Sequence, residues 1–110
     1  MSQRRFRVVW TEVASQDVER LAGYLGDEAP LRADHILERI ISRGESLESS
    51  PSRGRRPPQL RSVGDRTWRE VHEPPCRLIY RLVGGAVEIH AVLDGRRDLD
   101  DILLERILQG

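Results

Sequence analysis

The sequence predicts an α+β domain with an N-terminal strand, an α-helical hairpin, a three-stranded antiparallel run that completes one sheet, and a short C-terminal helix. Two observations predict it. Apolar residues recur at spacings of three and four between residues 14 and 47, which is the period of amphipathic helices. Three runs rich in branched apolar residues then follow between residues 66 and 93, as in adjacent strands. A chain of 110 residues supports one core and not two, so residues 1–110 are expected to form a single domain.

The N-terminal half is predicted to be a strand followed by two helices. Arg5–Trp10 is short and rich in Val, Phe and Trp, which is typical of a strand. Thr11 is a suitable N-cap for a first helix that ends near Gly26. Pro30 suits the first turn of a second helix, which continues to about Ser49 and stops before a proline. Each helix needs a surface to cover, because neither apolar stripe is stable alone in water.

The C-terminal half is predicted to be a loop, three strands and a helix. The loop, Pro51–Asp65, is rich in Pro, Gly and Arg, and Asp98 can cap the final helix, whose apolar face holds Leu99, Ile102, Leu103 and Ile107. The predicted strands are Arg66–Glu73, Cys76–Val83 and Ala86–Leu93.

The turns and the alternation within the last strand add detail. Pro74–Pro75 separates the first two strands, and Gly84–Gly85 permits the positive backbone angles of a two-residue hairpin turn. In the last strand, alternation predicts one apolar face made by Val87, Ile89, Ala91 and Leu93.

Charge is balanced overall but unevenly distributed. The formal net charge is zero, and all 18 basic residues are arginines. A neutral chain is not expected to bind polyanions in general, because nucleic-acid affinity comes mainly from excess positive charge. Residues 51–69 nevertheless form a predicted basic patch, with one acid against the arginines Arg53, Arg55, Arg56, Arg61, Arg66 and Arg69.

Several classes of protein are disfavoured by the sequence. Cys76 is the only cysteine, so no intrachain disulfide can form and a cysteine-based metal cluster is not expected. No metal constellation, phosphate loop or nucleophile–base pair stands out, and no cofactor is expected. The N-terminus lacks the apolar segment of a signal peptide, and no run is long enough to span a membrane. A soluble cytoplasmic protein is therefore expected.

Five segments resemble motifs of one family. Trp10–Val18 is similar to a strand that ends at Thr and enters an "A..D(L/V)" helix, and Pro51–Leu60 is similar to a "P..GR.....L" loop. Trp68–Val71 resembles "(Y/W)RE(V/I)", and Arg77–Leu82 resembles the strand "YR(I/L)(I/V)Y". Val92–Leu99 resembles "V(L/I)HG(A/R)RD(L/I)". In this order and at this length, the segments resemble the ParE/RelE toxin family of type II toxin–antitoxin systems.

The resemblance implies one of two activities. RelE-like members cut messenger RNA on the ribosome, whereas ParE-like members poison DNA gyrase and are not nucleases. Arg77 matches the arginine that contacts the scissile phosphate in RelE-like enzymes, and Arg69 and Glu70 complete the candidate catalytic set. The ParE-like branch is favoured, because the chain has no lysine cluster, no acid in Arg56–Leu60 and no histidine after His90. A non-toxic, antitoxin-binding family member remains a third reading.

Other residues carry open alternatives. Glu70 is either a general base or one member of a cross-strand ion pair, which is favoured. Trp10 and Trp68 are interpreted as buried anchors rather than an RNA-stacking pair. Tyr80 is expected in the core, and His72 and His90 on a polar face or an edge.

The same resemblance implies that the partner is a cognate antitoxin, which binds as a helix plus an extended strand. It also implies that the target is DNA gyrase or, in the alternative, the ribosome and its mRNA. Residues of about 93–108 are expected to contact the target. The candidate antitoxin- or target-binding residues are Arg53, Arg55, Arg56, Arg61, Trp68, Arg69, Arg77, Tyr80, Arg96 and Arg97.

Overall fold

The computed structural model describes residues 5–57 and 67–94, which contain two α-helices and one four-stranded sheet. The elements are β1 (Arg7–Trp10), α1 (Glu12–Glu28), α2 (Ala33–Glu45), β2 (Trp68–Glu73), β3 (Cys76–Val83) and β4 (Ala86–Asp94). Short 3-10 turns at Ser46–Glu48 and Pro51–Arg53 follow α2. The predicted α+β order is confirmed over these residues. The predicted final helix lies outside the described residues. So do three of the predicted binding residues, Arg61, Arg96 and Arg97, and Arg66 of the predicted basic patch.

The strands lie in the order β1-β4-β3-β2. β2, β3 and β4 form the predicted antiparallel run, and β1 pairs in parallel with β4, from Arg7 opposite Ala86 to Trp10 opposite Ile89. Gly84 has a φ of +60° in the turn between β3 and β4, a backbone conformation that glycine adopts at no steric cost. A parallel pair needs a long connection, and the one between β1 and β4 contains the helical hairpin, β2 and β3.

The helix boundaries follow local capping. The Thr11 hydroxyl oxygen accepts a hydrogen bond from the Ala14 N–H at 3.2 Å, so the predicted N-cap is confirmed. The predicted start of the second helix at Pro30 is wrong by three residues, because residues 30–32 form a turn and the Arg32 N–H bonds the Ala29 carbonyl. Neither helix is long and apolar enough to cross a bilayer, among the residues that the structure describes.

The two helices pack on one face of the sheet and form the core with it. The cluster combines Ala14, Ile40 and Leu47 with the strand residues Val71, Cys76, Leu78, Tyr80, Val87, Ile89 and Val92. Gly44 allows the indole of Trp10 to lie against α2, since a Cβ at that position would lie 2.5 Å from the ring. Trp10 also donates a 2.9 Å hydrogen bond to Glu45. Trp10 therefore joins β1 to α2 as an anchor, but its side chain is partly buried rather than buried as predicted.

A bulge changes the pattern predicted for β4. Ile79 pairs with Ala91 and Tyr80 pairs with Ile89, so His90 is the extra residue. An extra residue reverses the side-chain alternation beyond it. The predicted single apolar face of β4 is therefore wrong: Val92 joins the helix-covered face, whereas Ala91 and Leu93 point to the other one.

Asp17 completes the hydrogen bonding of this irregular strand. Its buried carboxylate accepts the Val92 N–H at 3.0 Å. The β1–β4 ladder ends at Trp10 and Ile89, so β1 supplies no backbone partner this far along β4. The aspartate of the "A..D" segment thus has a structural role, since a buried N–H without an acceptor is costly.

Candidate functional site

Glu70 lies at the centre of a group of arginines on the sheet face opposite the helices. Its side chain is 0% exposed. Arg77 Nε donates to one carboxylate oxygen at 2.8 Å, and its Nη2 donates to the same oxygen. Arg55 Nε donates to the other oxygen at 2.8 Å, and His72 Nε2 lies 3.6 Å from it. The two guanidinium groups offset the cost of burying this carboxylate.

Backbone pairing positions these side chains. Glu70 lies opposite Ile79 and His72 lies opposite Arg77, which places Arg77 diagonally across from Glu70. Arg55 exchanges two backbone hydrogen bonds with Glu70, of 3.0 and 2.7 Å, at the outer edge of β2. The segment that carries Arg55 therefore continues the sheet by one residue pair beyond β2.

Tyr80 holds the same segment from the helix-covered face. Its hydroxyl donates to the Pro51 carbonyl at 2.6 Å and accepts the Gly54 N–H at 2.9 Å. Burial raises the pKa of Tyr80, against the opposing effects of the Gly54 N–H and of the charges of Arg69 and Arg53. A Cβ at Gly54 would lie 2.5 Å from the Tyr80 hydroxyl oxygen, so this close approach requires glycine.

Arg69 completes the attachment of the loop. Its Nη1 donates to the Gly54 carbonyl at 2.8 Å and lies 3.5 Å from the Ser52 carbonyl. The "P..GR" loop, the "WRE" strand and the "RLIY" strand therefore meet in one network, in which each motif supplies a hydrogen-bonding group to another.

Glu73 forms a second carboxylate–arginine cluster between α2 and the end of β2. It is buried, and its oxygens accept hydrogen bonds from Arg39 at 3.2 Å and Arg43 at 3.3 Å. This cluster was not predicted from the sequence. A signal was present, because Arg39 and Arg43 are four residues apart and so share one helix face.

A third cluster surrounds Trp68. The Arg81 guanidinium lies 4.9 Å from the centre of the indole ring, and the His90 ring meets it edge-on at the same distance. His90 Nε2 lies 3.0 Å from the Glu88 carboxylate. This hydrogen bond, with the charges of His90 and Arg81, holds the pKa of Glu88 below its ordinary value. Trp68 is buried, as expected for an anchor.

The predicted site residues thus fall into distinct places. Arg53, Arg55, Arg69, Arg77 and Tyr80 gather around residues 51–55 and Glu70, while Arg56 is exposed. Trp68 belongs to the separate cluster with Arg81. Glu70 does form the favoured cross-strand ion pair, with Arg77. No group of three potential metal-ligating side chains occurs within residues 5–57 and 67–94.

Comparison with known proteins assigns the family. A family model described as "ParE toxin of type II toxin-antitoxin system, parDE" matches residues 8–99. The chain belongs to this ParE toxin family. A curated relative in the ParE/RelE superfamily, Toxin RelE2 of Caulobacter vibrioides, is 33% identical over 84 residues, which cover 76% of this chain and 88% of that protein. The superfamily membership predicted from the motifs is confirmed.

A solved structure shows the same ParE fold. It is described as the chromosomal ParDE TA system from P. aeruginosa, and it matches with a TM-score of 0.68. The match covers 83% of this chain and 97% of that one, at 16% sequence identity. The predicted fold class is thereby confirmed.

Proposed function

We propose that this type II toxin is a DNA gyrase poison held inactive by a cognate antitoxin. The observation that carries the proposal is the state of Arg77. In RelE-like ribonucleases the matching arginine contacts the scissile phosphate, whereas here Arg77 binds Glu70 and its side chain is only 14% exposed. A guanidinium that stabilises the charge of a phosphoryl transition state must face the substrate. The contact of Arg77 with Glu70 therefore supports a toxin that acts without cleaving RNA.

The other RelE-type candidates are similarly engaged. Glu70 is fully buried and each of its oxygens accepts from one arginine, so an oxygen that takes a proton from a substrate must first lose its contact with Arg55 or Arg77. Arg69 donates to the backbone of the 51–54 segment. These contacts support a structural role for all three residues.

The second candidate function is a ribosome-dependent endoribonuclease. The name of the relative Toxin RelE2 favours it, since that protein is 33% identical over most of both chains. This activity would require Arg77 to leave Glu70 when mRNA binds. The third reading, a non-toxic antitoxin-binding protein, is an outcome of the same experiment.

Exposed apolar groups supply a surface for the proposed antitoxin. They lie on the helical hairpin and its turn, at Val13, Tyr24, Leu31 and Ile41. An amphipathic helix can cover such a surface, and an extended segment can pair with the outer edge of β1, which pairs with no further strand within residues 5–57 and 67–94.

The test compares both targets with one protein preparation. Purified toxin is added to gyrase with supercoiled DNA, and separately to a translation reaction, and trapped DNA breaks and mRNA cuts are measured. Arg77→Gln is the informative variant. Arg32→Gln is the matched control, because Arg32 is an exposed arginine that makes no side-chain cap contact.

Gyrase-dependent DNA breaks with intact mRNA support the proposal. Codon-spaced mRNA cuts by the unmodified chain would overturn it in favour of the ribonuclease. Their loss in Arg77→Gln that circular dichroism shows to be folded, with retention in Arg32→Gln, would assign the reaction to Arg77. Neither product, from folded protein, would identify the non-toxic member.

A further inference from the structure

Two clefts meet at Arg53, beside the edge of β2. The first has a volume of about 370 Å³ and is lined mainly by α2, with Arg53 and Glu73. The second, of about 430 Å³, lies between Arg43, Arg53, Arg55 and the β2 residues 70–72. Arg43 and Arg53 line both clefts. The two clefts therefore adjoin at these side chains, and together we call them the Arg53 groove.

The Arg53 groove has a small surplus of positive charge. Each cleft has one buried carboxylate that already holds two arginines: Glu73 with Arg39 and Arg43 in the first, and Glu70 with Arg55 and Arg77 in the second. Glu38 adds one exposed carboxylate. The arginines that line the groove are thus four, Arg39, Arg43, Arg53 and Arg55, against three glutamates.

Arg53 is the cation of the groove that holds no carboxylate among the described residues. Its side chain is exposed, and its Nη1 donates a 3.3 Å hydrogen bond to the Ser46 hydroxyl. The Ser46 hydroxyl in turn donates to the Arg43 carbonyl at 2.6 Å. The guanidinium is therefore oriented at the junction of the clefts, and its other N–H groups can receive an anion.

We propose that the Arg53 groove binds an acidic segment of a partner polypeptide, with Arg53 receiving one of its carboxylates. The partner is the antitoxin, so this identification rests on the proposed function. A planar guanidinium and a carboxylate match in a bidentate geometry. Because Arg39, Arg43 and Arg55 are tied to the buried carboxylates, the groove is already shaped before the partner arrives, which lowers the entropy cost of binding.

The size of the charge surplus favours a polypeptide over a nucleic acid. Binding to a phosphate backbone depends on neutralising many phosphates at once. A surplus of one charge in a concave groove, on a chain with zero net charge, fits a single discrete carboxylate instead. Nucleic-acid binding is therefore the alternative that the experiment must detect.

The experiment measures binding of three labelled probes to the full chain. They are a short peptide of alternating Glu and Ala, the same peptide with Gln in place of Glu, and a DNA duplex. Arg53→Glu is the test variant and Arg32→Glu is the matched control, which makes the same charge change outside the groove. Circular dichroism verifies folding, and Arg53→Gln replaces the charge reversal if Arg53→Glu does not fold.

The Glu peptide is expected to bind in a salt-dependent manner, while the Gln peptide and the duplex bind more weakly. Reversing one exposed charge should weaken Glu-peptide binding about fivefold in Arg53→Glu and leave it nearly unchanged in Arg32→Glu. Preference for the duplex, equal losses in both variants, or no binding of the Glu peptide would each overturn the inference.

A gyrase assay on the unmodified chain separates the two proposals. If the unmodified chain traps no breaks, the proposed function fails, while the Arg53-dependent peptide binding stands or falls by its own result.

Discussion

Replacing Arg77 with methionine is expected to destabilise the fold rather than to remove a catalytic group. The change removes both hydrogen bonds that Arg77 donates to Glu70 while it keeps a long apolar side chain. Glu70 then remains fully buried with Arg55 as its remaining arginine. The loss should therefore appear in the free energy of unfolding.

The burial of Glu70 and of its two arginines determines how much unfolding free energy each substitution removes. Leaving a buried charge without its partner costs about 3–5 kcal/mol. Arg55 still neutralises part of the charge, but its side chain is 63% exposed, and exposed pairs contribute less than about 1 kcal/mol. The expected loss for Arg77→Met is therefore about 2–4 kcal/mol. The matched variant Arg55→Met removes a guanidinium from the same carboxylate and should cost less than about 1 kcal/mol.

Urea unfolding followed by circular dichroism measures both variants. Thermal unfolding should show the same order, with a melting temperature lowered by about 10 °C for Arg77→Met. A double variant, Glu70→Leu with Arg77→Met, should recover most of the loss, because it removes the buried charge as well. Equal losses for Arg77→Met and Arg55→Met would refute the reasoning. So would a folded, fully stable Arg77→Met.

Three further substitutions test other contacts by urea unfolding. Asp17→Ala should lower the free energy of unfolding by about 1–3 kcal/mol, because it leaves the Val92 N–H without its acceptor. The exposed control Glu19→Ala should change it little, and equal effects of the two would contradict the structural role of Asp17. Gly54→Ala should cost about 1–3 kcal/mol, since its Cβ would approach the Tyr80 hydroxyl oxygen to 2.5 Å, and an unchanged stability would show that the loop moves freely. Tyr80→Phe should cost about 1–2 kcal/mol by removing two hydrogen bonds. Because burial raises the pKa of Tyr80 above its ordinary value of 10.0, the unfolded chain ionises first, and unfolding free energy should fall above about pH 10. Tyr80→Phe should show a shallower alkaline decline, and equal slopes would argue against this assignment.

The sequence predicted helix caps and turns correctly where the side chain or backbone freedom of one residue type determines them. Thr11 caps α1 because its side chain reaches the Ala14 N–H, a contact between residues three apart. The Gly84–Gly85 turn likewise depends on a local backbone requirement. The bulge at His90 was not predictable in this way, since it depends on how β4 pairs with β3. Alternation alone therefore assigned Ala91 to the wrong face.

The sequence predicted which residues belong to the site but not how they contact one another. The motifs selected Arg55, Glu70, Arg77 and Tyr80, all of which meet in one network. The sequence did not reveal that Arg55 pairs with the edge of β2, because that contact joins a loop to a strand. Nor did it reveal that Glu70 is shared by two arginines, since partner choice among many arginines depends on distances that only the fold defines.

The parallel pairing of β1 with β4 bears on how this protein is made. Residues 7–10 pair with residues 86–89, so the first described strand cannot pair until the last one is present. Such distant pairings form late, because the entropy of closing a long loop must be overcome before the contact stabilises the chain. A nascent chain that has emerged only as far as α2 has helices without the sheet that they cover. A cell synthesising this toxin is therefore exposed to its assembled surface only after residues 86–89 have left the ribosome.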